Sequence, residues 1–479
     1  MDGAGISAEM LRLPALHAVL LSLINGAFVD GAVPQEWLAG EIILIHKKGN
    51  VADLGNFRGI VILHIVVKLY MIMLLLRLSP ALDKHLRPSQ NGFRRGRSTL
   101  EHVLAVRRLI EETEPLLDRE LHILFLDFAK AFDTVKWSAL WTSVLPAYRI
   151  PERIIGAVRA LYIGSSARVR TKDGLTELFY FHAGVKQGCV LSPFLFILVI
   201  DFVMRRAVDP SLGVQVKQGT RFGRHPSVFV TDTGFADDIA LCSGLQEKLQ
   251  ELTDRVVGEA GGVGLAVNVL KTEQMSIVPS SHGAPGSGTT RIYEQSVKRC
   301  DDFKFLGCWV RSSRQDFLVR RALAWKACLR LKPLWMSPLP PPTKRRLFRS
   351  LIHPILMYGA ETWTLTEALS KALDGTYTRL LRTCMGVHYS ELRTNKSLYG
   401  DLPQLSVVLK QRRLQFAGHC SRAKQPVADV LLWHPHGQRP PGHPKLTFLD
   451  QLRKDTGGLK GDELHKAMGN RVQWQSVWK

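Results

Sequence analysis

Three aspartates stand where a charge would not be left free. Asp127 closes the apolar run Leu121-His122-Ile123-Leu124-Phe125-Leu126, and Asp237 and Asp238 interrupt Phe235-Ala236-Asp237-Asp238-Ile239-Ala240-Leu241 as in a tight hairpin whose turn carries the acids. Carboxylates gathered on adjacent strands repel and raise one another's pKa unless a cation neutralises them. His122 and Cys242 stand too far along their strands to join them, so an all-oxygen donor set favours Mg2+ or Mn2+ over Zn2+. Two such ions about 3.5–4 Å apart suit in-line attack at phosphorus. Taken alone, an Asp-Asp pair reads more readily as a pair of solvated turn residues.

The pattern around these acids sets the fold class. Strand-like runs at 121–126, 228–235, 272–278 and 303–310 alternate with helical ones at 134–147, 193–206 and 245–260. That order predicts an α+β fold with a split βαββαβ antiparallel sheet and helices on one face. Residues 1–118 read as mostly helical with a short strand at 40–45, and the loop 279–288 as a flexible excursion. From 311 the chain becomes helical and basic.

Composition narrows the partners. The chain has 479 residues, roughly three domains' worth at about 150 each, and 64 Lys+Arg against 42 Asp+Glu give a net charge of +22. A hydrophobic fraction of 46% excludes whole-chain disorder. Seven cysteines without a CxxC pair point to a reducing, intracellular setting, and the N-terminus carries no secretory pattern. The apolar run 60–76 holds Lys68 at its centre, so it reads as a buried amphipathic helix rather than a membrane span. Nucleic acid is the partner that remains.

Three strings then occur in order: Phe125-Leu126-Asp127-Phe128-Ala129-Lys130-Ala131-Phe132-Asp133, Gly184-Val185-Lys186-Gln187-Gly188-Cys189-Val190-Leu191-Ser192-Pro193, and Phe235-Ala236-Asp237-Asp238. Together with Asn56-Phe57-Arg58-Gly59, Gln90-Asn91-Gly92-Phe93-Arg94, Phe305-Leu306-Gly307 and Tyr358-Gly359-Ala360-Glu361-Thr362-Trp363, the chain strongly resembles the reverse transcriptases of non-LTR (LINE-type) retrotransposons.

The resemblance implies a right-hand polymerase: a fingers-like region over 1–118, a palm over 119–310, a helical basic thumb-like region over 311–400 and a basic C-terminal region over 401–479. It implies RNA-directed DNA polymerase activity in which Asp127, Asp237 and Asp238 hold two Mg2+ ions, with Mn2+ as a substitute. Asp133 is read as supporting. Phe132 becomes a steric gate against a ribose 2′-hydroxyl, and Gln187 a contact to the nascent base pair. Arg58 and Lys47 would hold the triphosphate of an incoming dNTP, and Lys271 would protonate pyrophosphate or orient its strand. Template and primer, RNA and DNA respectively, would lie on Arg94, Arg95 and Arg97 and on the thumb cluster Lys344, Arg345 and Arg346. The segment 311–350 carries eleven bases against the single acid Asp316, which suits backbone contact with a duplex.

The tail holds His419-Cys420, His434, His436 and His443 without a cysteine pair, so generic basic contact is expected there rather than zinc. The chain starts inside the earliest polymerase-like motif, so the same resemblance predicts an N-terminally truncated polymerase whose endonuclease, if used, is supplied separately. A catalytically inactive nucleic-acid-binding remnant is the alternative.

Overall fold

A computed structural model describes residues 6–219, 226–279, 288–438, 441 and 445–478. After an N-terminal helix, Pro14–Asp30, strand β1 (Ala39–His46) pairs antiparallel with β2 (Phe57–Ile62), and helix α1 (Ile65–Leu82) follows. The apolar run 60–76 therefore divides, its first residues becoming a strand because Gly59-Ile60-Val61 pair with Ile43 and its neighbours. Among the described residues α1 alone is long and apolar enough to cross a membrane. Val66, Val67, Tyr70, Met71, Leu74 and Leu78 are nevertheless buried at helical spacing in the largest core.

Helix α2 (Thr99–Thr113) begins with a capping box, Ser98 accepting from the Leu100 amide while Glu101 accepts from the Ser98 amide. Strand β3 (Leu121–Leu126) follows, and later β4 (Ser166–Thr171) runs parallel to β1. The helix expected over 134–147 is instead a succession of short turns with a π-helical stretch at Leu140–Val144. Helix α3 (Ser192–Ala207) matches the expected one closely.

The strand expected over 228–235 is split. Val228–Val230 pairs with Val214–Lys217 in a separate ribbon, and only β5 (Asp232–Phe235) joins the main sheet. Strand β6 (Asp238–Ser243), helix α4 (Gln246–Gly262), β7 (Glu273–Ile277) and the short β8 (Lys298–Arg299) complete it in the order β8-β7-β3-β6-β5. All pairings are antiparallel except β7 with β8, which is parallel. The run 303–310 is no sheet strand either. It folds into the small hairpin Lys304–Phe305 with Cys308–Trp309, turned at Leu306 and Gly307, both with positive φ. Residues 280–287 of the expected surface loop, the Asp2-to-Gly5 opening and His443 lie outside the described residues.

The main correction concerns the sheet's second face. Every residue of β3 is buried, which requires cover on both sides. Leu124, Leu126, Ile239 and Leu241 pack with α3 and α4. Leu121, Ile123, Phe125, Ala240 and Cys242 pack with α2 and with the last 80 residues.

The helices of that last stretch follow α5 (Ser313–Arg330), α6 (Pro341–Leu351) and α7 (Glu367–Met385), which form a separate core around Phe317, Phe348, Trp363 and Tyr377. They are α8 (Leu405–Ser421), α9 (Pro426–Leu431), α10 (Phe448–Asp455), α11 (Gly461–Gly469) and α12 (Arg471–Trp478). Far from being an appended basic tail, they place Leu414, Leu431, Trp433, Phe448, Leu452 and Trp474 against the sheet's core. Arg108 is fully buried between them, bonding Glu111, Glu112 and the Trp433 carbonyl.

Leu431→Ala, a fully buried position 300 residues away in sequence, is therefore expected to lower the unfolding free energy by about 2–5 kcal/mol in urea titration. An unchanged transition midpoint would mean that the C-terminal helices hang independently of the sheet.

Candidate active site

The register of β3 with β6 builds the acidic cluster. Leu126 pairs with Ile239, so Asp127 and Asp238 are the next residues outward on neighbouring strands, and Asp237 sits in the two-residue turn between β5 and β6. The turn's first residue, Ala236, is left-handed at φ 58°, a conformation a non-glycine residue adopts at a cost of about 1–2 kcal/mol. Lys130, three residues after Asp127, is left-handed too, at φ 47°.

Gln90 holds the strained turn in place. Its buried Oε1 accepts from both the Ala236 and Gly92 amides at 2.8 Å, and its Nε2 donates to the Ala236 carbonyl at 3.3 Å. The neighbouring backbone bonds Gly234 on both sides, through Asn91 N–H to its carbonyl and from its N–H to Ser89. A Cβ on Gly92 would lie 2.5 Å from the Ala236 nitrogen, so the two chains are in direct backbone contact. Gln90 belongs to a motif legible in the sequence, yet nothing local could reveal that its amide closes on a turn 146 residues later.

Electrostatics tie the acids together. Burial raises the pKa of Asp127, opposed by Lys271, whose Nζ stands 3.8 Å from Oδ2. Burial and then Asp127 raise that of Asp237, while Arg58 lowers it. Asp238 is pushed up to about 6 by burial, then by Asp237 and Asp127. Asp127 Oδ2 is buried and makes no hydrogen bond among the described residues. Cation-deficient oxygen donors of this kind suit a hard divalent ion. Among the described residues, however, no group of three or more His, Cys, Asp or Glu side chains is assembled for metal in this state.

The remaining expected residues divide. Gln187 is half-buried; its amide donates to Asp133 Oδ1 at 3.2 Å, and its carbonyl accepts from the Val61 amide of β2 at 2.7 Å. A Cβ on Gly188 would lie 2.5 Å from the Val61 carbonyl oxygen, which explains the glycine. Phe132 is half-buried, stacked on Phe196 at 4.3 Å. Arg58 and Lys47 are exposed, and Arg58 alone of the two acts on the acids electrostatically.

Three of the expected nucleic-acid contacts are instead structural. The Arg94 guanidinium is consumed by Asp83 and by the Arg87 and Gln90 carbonyls. Lys344 donates to the Trp335 carbonyl at 2.7 Å, and Arg345 pairs with Asp401 at 3.4 Å. Arg94 and Lys344 are thus spent on backbone carbonyls and Arg345 on a carboxylate. Arg95 and Arg346 are exposed, and Arg97 is half-buried.

Residues 45–310 match the model of the family described as "Reverse transcriptase (RNA-dependent DNA polymerase)". The chain belongs to that family.

Its relatives are retrotransposon polyproteins, in line with the resemblance carried by the motifs. One is the Pol polyprotein of a type-1 R2 element of Popillia japonica, 26% identical over 81% of this chain and 52% of that one. Another is the probable RNA-directed DNA polymerase of the Drosophila melanogaster transposon X-element, 23% identical over 91% of this chain and 47% of that one. The chain thus spans about half the length of these relatives. Apo telomerase of Candida tropicalis aligns with a TM-score of 0.41 at 14% identity, over 87% of this chain and 74% of that one. The family match over 45–310 and the mixed sheet-and-helix architecture make the fold that of an α+β polymerase.

The raised Asp238 carboxyl has a measurable consequence. A carboxyl held above its ordinary value of 3.8 favours folding below that value, and the advantage is lost as pH rises through about 6. With divalent ions chelated, Asp238→Asn is expected to melt at the wild-type temperature near pH 3.5 and above it at pH 7. Parallel melting curves at all pH values would show that the three acids do not interact.

Proposed function

We propose that the chain is an RNA-directed DNA polymerase, extending a primer 3′-hydroxyl with deoxynucleotides along an RNA template during retrotransposition. The observation that carries this reading is the convergence of Asp127, Asp237 and Asp238, with raised pKa values, at the end of the sheet inside a reverse transcriptase domain. Asp127 and Asp237 would hold two Mg2+ ions and Asp238 would support them; bound there, the ions supply charge neutralisation at phosphorus and a lowered pKa for the attacking hydroxyl.

The chain's own residues then position and select. Arg58, which already lowers the Asp237 pKa, is placed to take a triphosphate oxygen by charge-assisted hydrogen bonding. Lys47 is exposed further along the same sheet and is an outer contact for that group. Lys271, 3.8 Å from Asp127 Oδ2, would protonate the leaving pyrophosphate or orient that strand. Phe132, backed by Phe196, presents a rigid ring where a ribose 2′-hydroxyl would collide. Gln187 is held by Asp133 to meet the new base pair. Arg95, Arg97 and Arg346 are the residues of the two basic clusters left for template and duplex phosphates. Function of this kind would put the chain with nucleic acid inside the cell.

Primer extension on an RNA template with Mg2+ tests the reading. Wild type is expected to extend, and Asp237→Ala to lose at least about a thousandfold, in keeping with removal of a charge-stabilising group. No extension by folded wild type would leave the inactive remnant as the better description.

The gate is tested separately. Phe132→Ala is expected to raise ribonucleotide incorporation relative to deoxynucleotide, and unchanged sugar selectivity would remove Phe132 from the site.

A further inference from the structure

The loop that reaches the catalytic turn through Gln90 continues to Gly96 and Arg97, and there it meets α8 and α12 across a cavity of about 600 Å3. Arg97, His419, Arg422, Lys424, Arg471 and Trp478 line this groove, and none of its lining residues is acidic. Among the described residues none of Arg97, Arg422, Lys424 and Arg471 forms an ion pair. Two carboxylates act on Arg97 from outside the lining: Glu101 is fully buried and committed to His419, Asn91 and the Ser98 amide, and Asp83 is paired with Arg94. Arg422, which also donates to the Met468 carbonyl, lines the groove together with Arg97, Lys424 and Arg471. Burial and then the neighbouring Arg471 lower the pKa of Arg422, and burial and then Arg94 lower that of Arg97. Each is a site that an anion would relieve.

The aromatic component is equally specific. Trp474 forms the floor, fully buried with its indole N–H on the Leu414 carbonyl at 2.7 Å, which fixes α12 against α8. Trp478, one turn later, is half-buried and opens on the groove. A cationic wall beside a half-buried indole that opens on it is the combination that takes backbone phosphates and stacks bases. The cavity lies in the size range of sites for single small groups, not of a surface that cradles a duplex. Gln90 touches the catalytic turn, and Gly96 is six residues on, at most about 22 Å away along the chain.

We propose that this groove, formed between the loop 92–98 and the C-terminal helices, binds single-stranded nucleic acid. Arg97, Arg422, Lys424 and Arg471 hold its phosphates, and Trp478 stacks one of its bases. That the bound strand is the unpaired template rests on the polymerase reading; the binding itself does not.

The test uses the full chain and fluorescent 20-nucleotide oligouridylate and oligothymidylate, with a duplex of equal length for comparison, followed by anisotropy over a salt series. Wild type is expected to bind the single strands with strong salt dependence. The exposed triple variant R422Q/K424Q/R471Q is expected to weaken binding about tenfold or more and to lower the log–log salt slope by about 2, at about 0.7 per phosphate lost. Trp478→Leu is expected to weaken binding with the slope kept, and the triple variant guards against that substitution simply disturbing the fold. Asp237→Ala should bind as wild type, so failure of polymerisation and failure of strand binding read independently. Unaltered affinity and slope in the triple variant would overturn the proposal. So would equal loss of duplex and single-strand binding, or displacement by polyglutamate as readily as by the oligonucleotides.

Discussion

The pairing of β3 with β6 is the constraint on which the rest depends. It sets Leu126 against Ile239 in a strand pair buried on both faces, and so puts Asp127 and Asp238 side by side exactly where the apolar cover ends. A slip of one residue would turn every core side chain to the opposite face, so the register of the acids is enforced by the whole apolar interior. Burial raises the pKa of all three, and repulsion from the neighbouring acids adds to it at Asp237 and Asp238. Packing elsewhere in the sheet sustains an arrangement that is unfavourable where the chemistry is proposed to occur.

The second cover explains why the C-terminal helices belong to the same molecule. One face of the sheet is closed by α3 and α4, which lie between the motif-bearing segments in sequence. The other is closed by α2 together with residues from beyond 410. Buried charge fixes this packing: Arg108 of α2 reaches the Trp433 carbonyl, Arg107 of α2 pairs with Asp316 of α5, and Arg413 of α8 pairs with Asp455 of α10 while bonding the Trp363 carbonyl. Breaking one partner of such a pair leaves an uncompensated buried charge, so these links specify one docking of the C-terminal helices.

Much of this was legible in the residues. The central strand, α3, α4 and the acidic hairpin announced themselves through apolar periodicity and the acids that end it, and the ordered motifs carried the family. What escaped were features fixed by distant partners. The 228–235 run divides because Asp232 is drawn inward by a bidentate pair with Arg87, at 3.0 and 2.5 Å, while Val230 pairs with Val214. Arg94, Lys344 and Arg345 look identical to phosphate-binding bases in sequence, since only the fold reveals carbonyls and carboxylates already waiting for them. The basic tail likewise hid its core, because Leu414, Leu431, Phe448 and Leu452 lie dispersed among charges and prolines.

Net charge reads differently once those internal pairs are counted. A surplus of +22 resembles a uniform attraction to nucleic acid, yet many of the strongest-looking clusters neutralise themselves against buried acids and carbonyls. What matters for an anionic ligand is the charge left uncompensated and facing a cavity. By that measure the groove around Arg97, Arg422 and Arg471 stands beside Arg346 and Arg349 of the run 311–350, which line a cavity of their own. Gln90 joins the groove to the catalytic turn along the chain: the segment whose amide clamps Ala236 is the one that ends in Arg97.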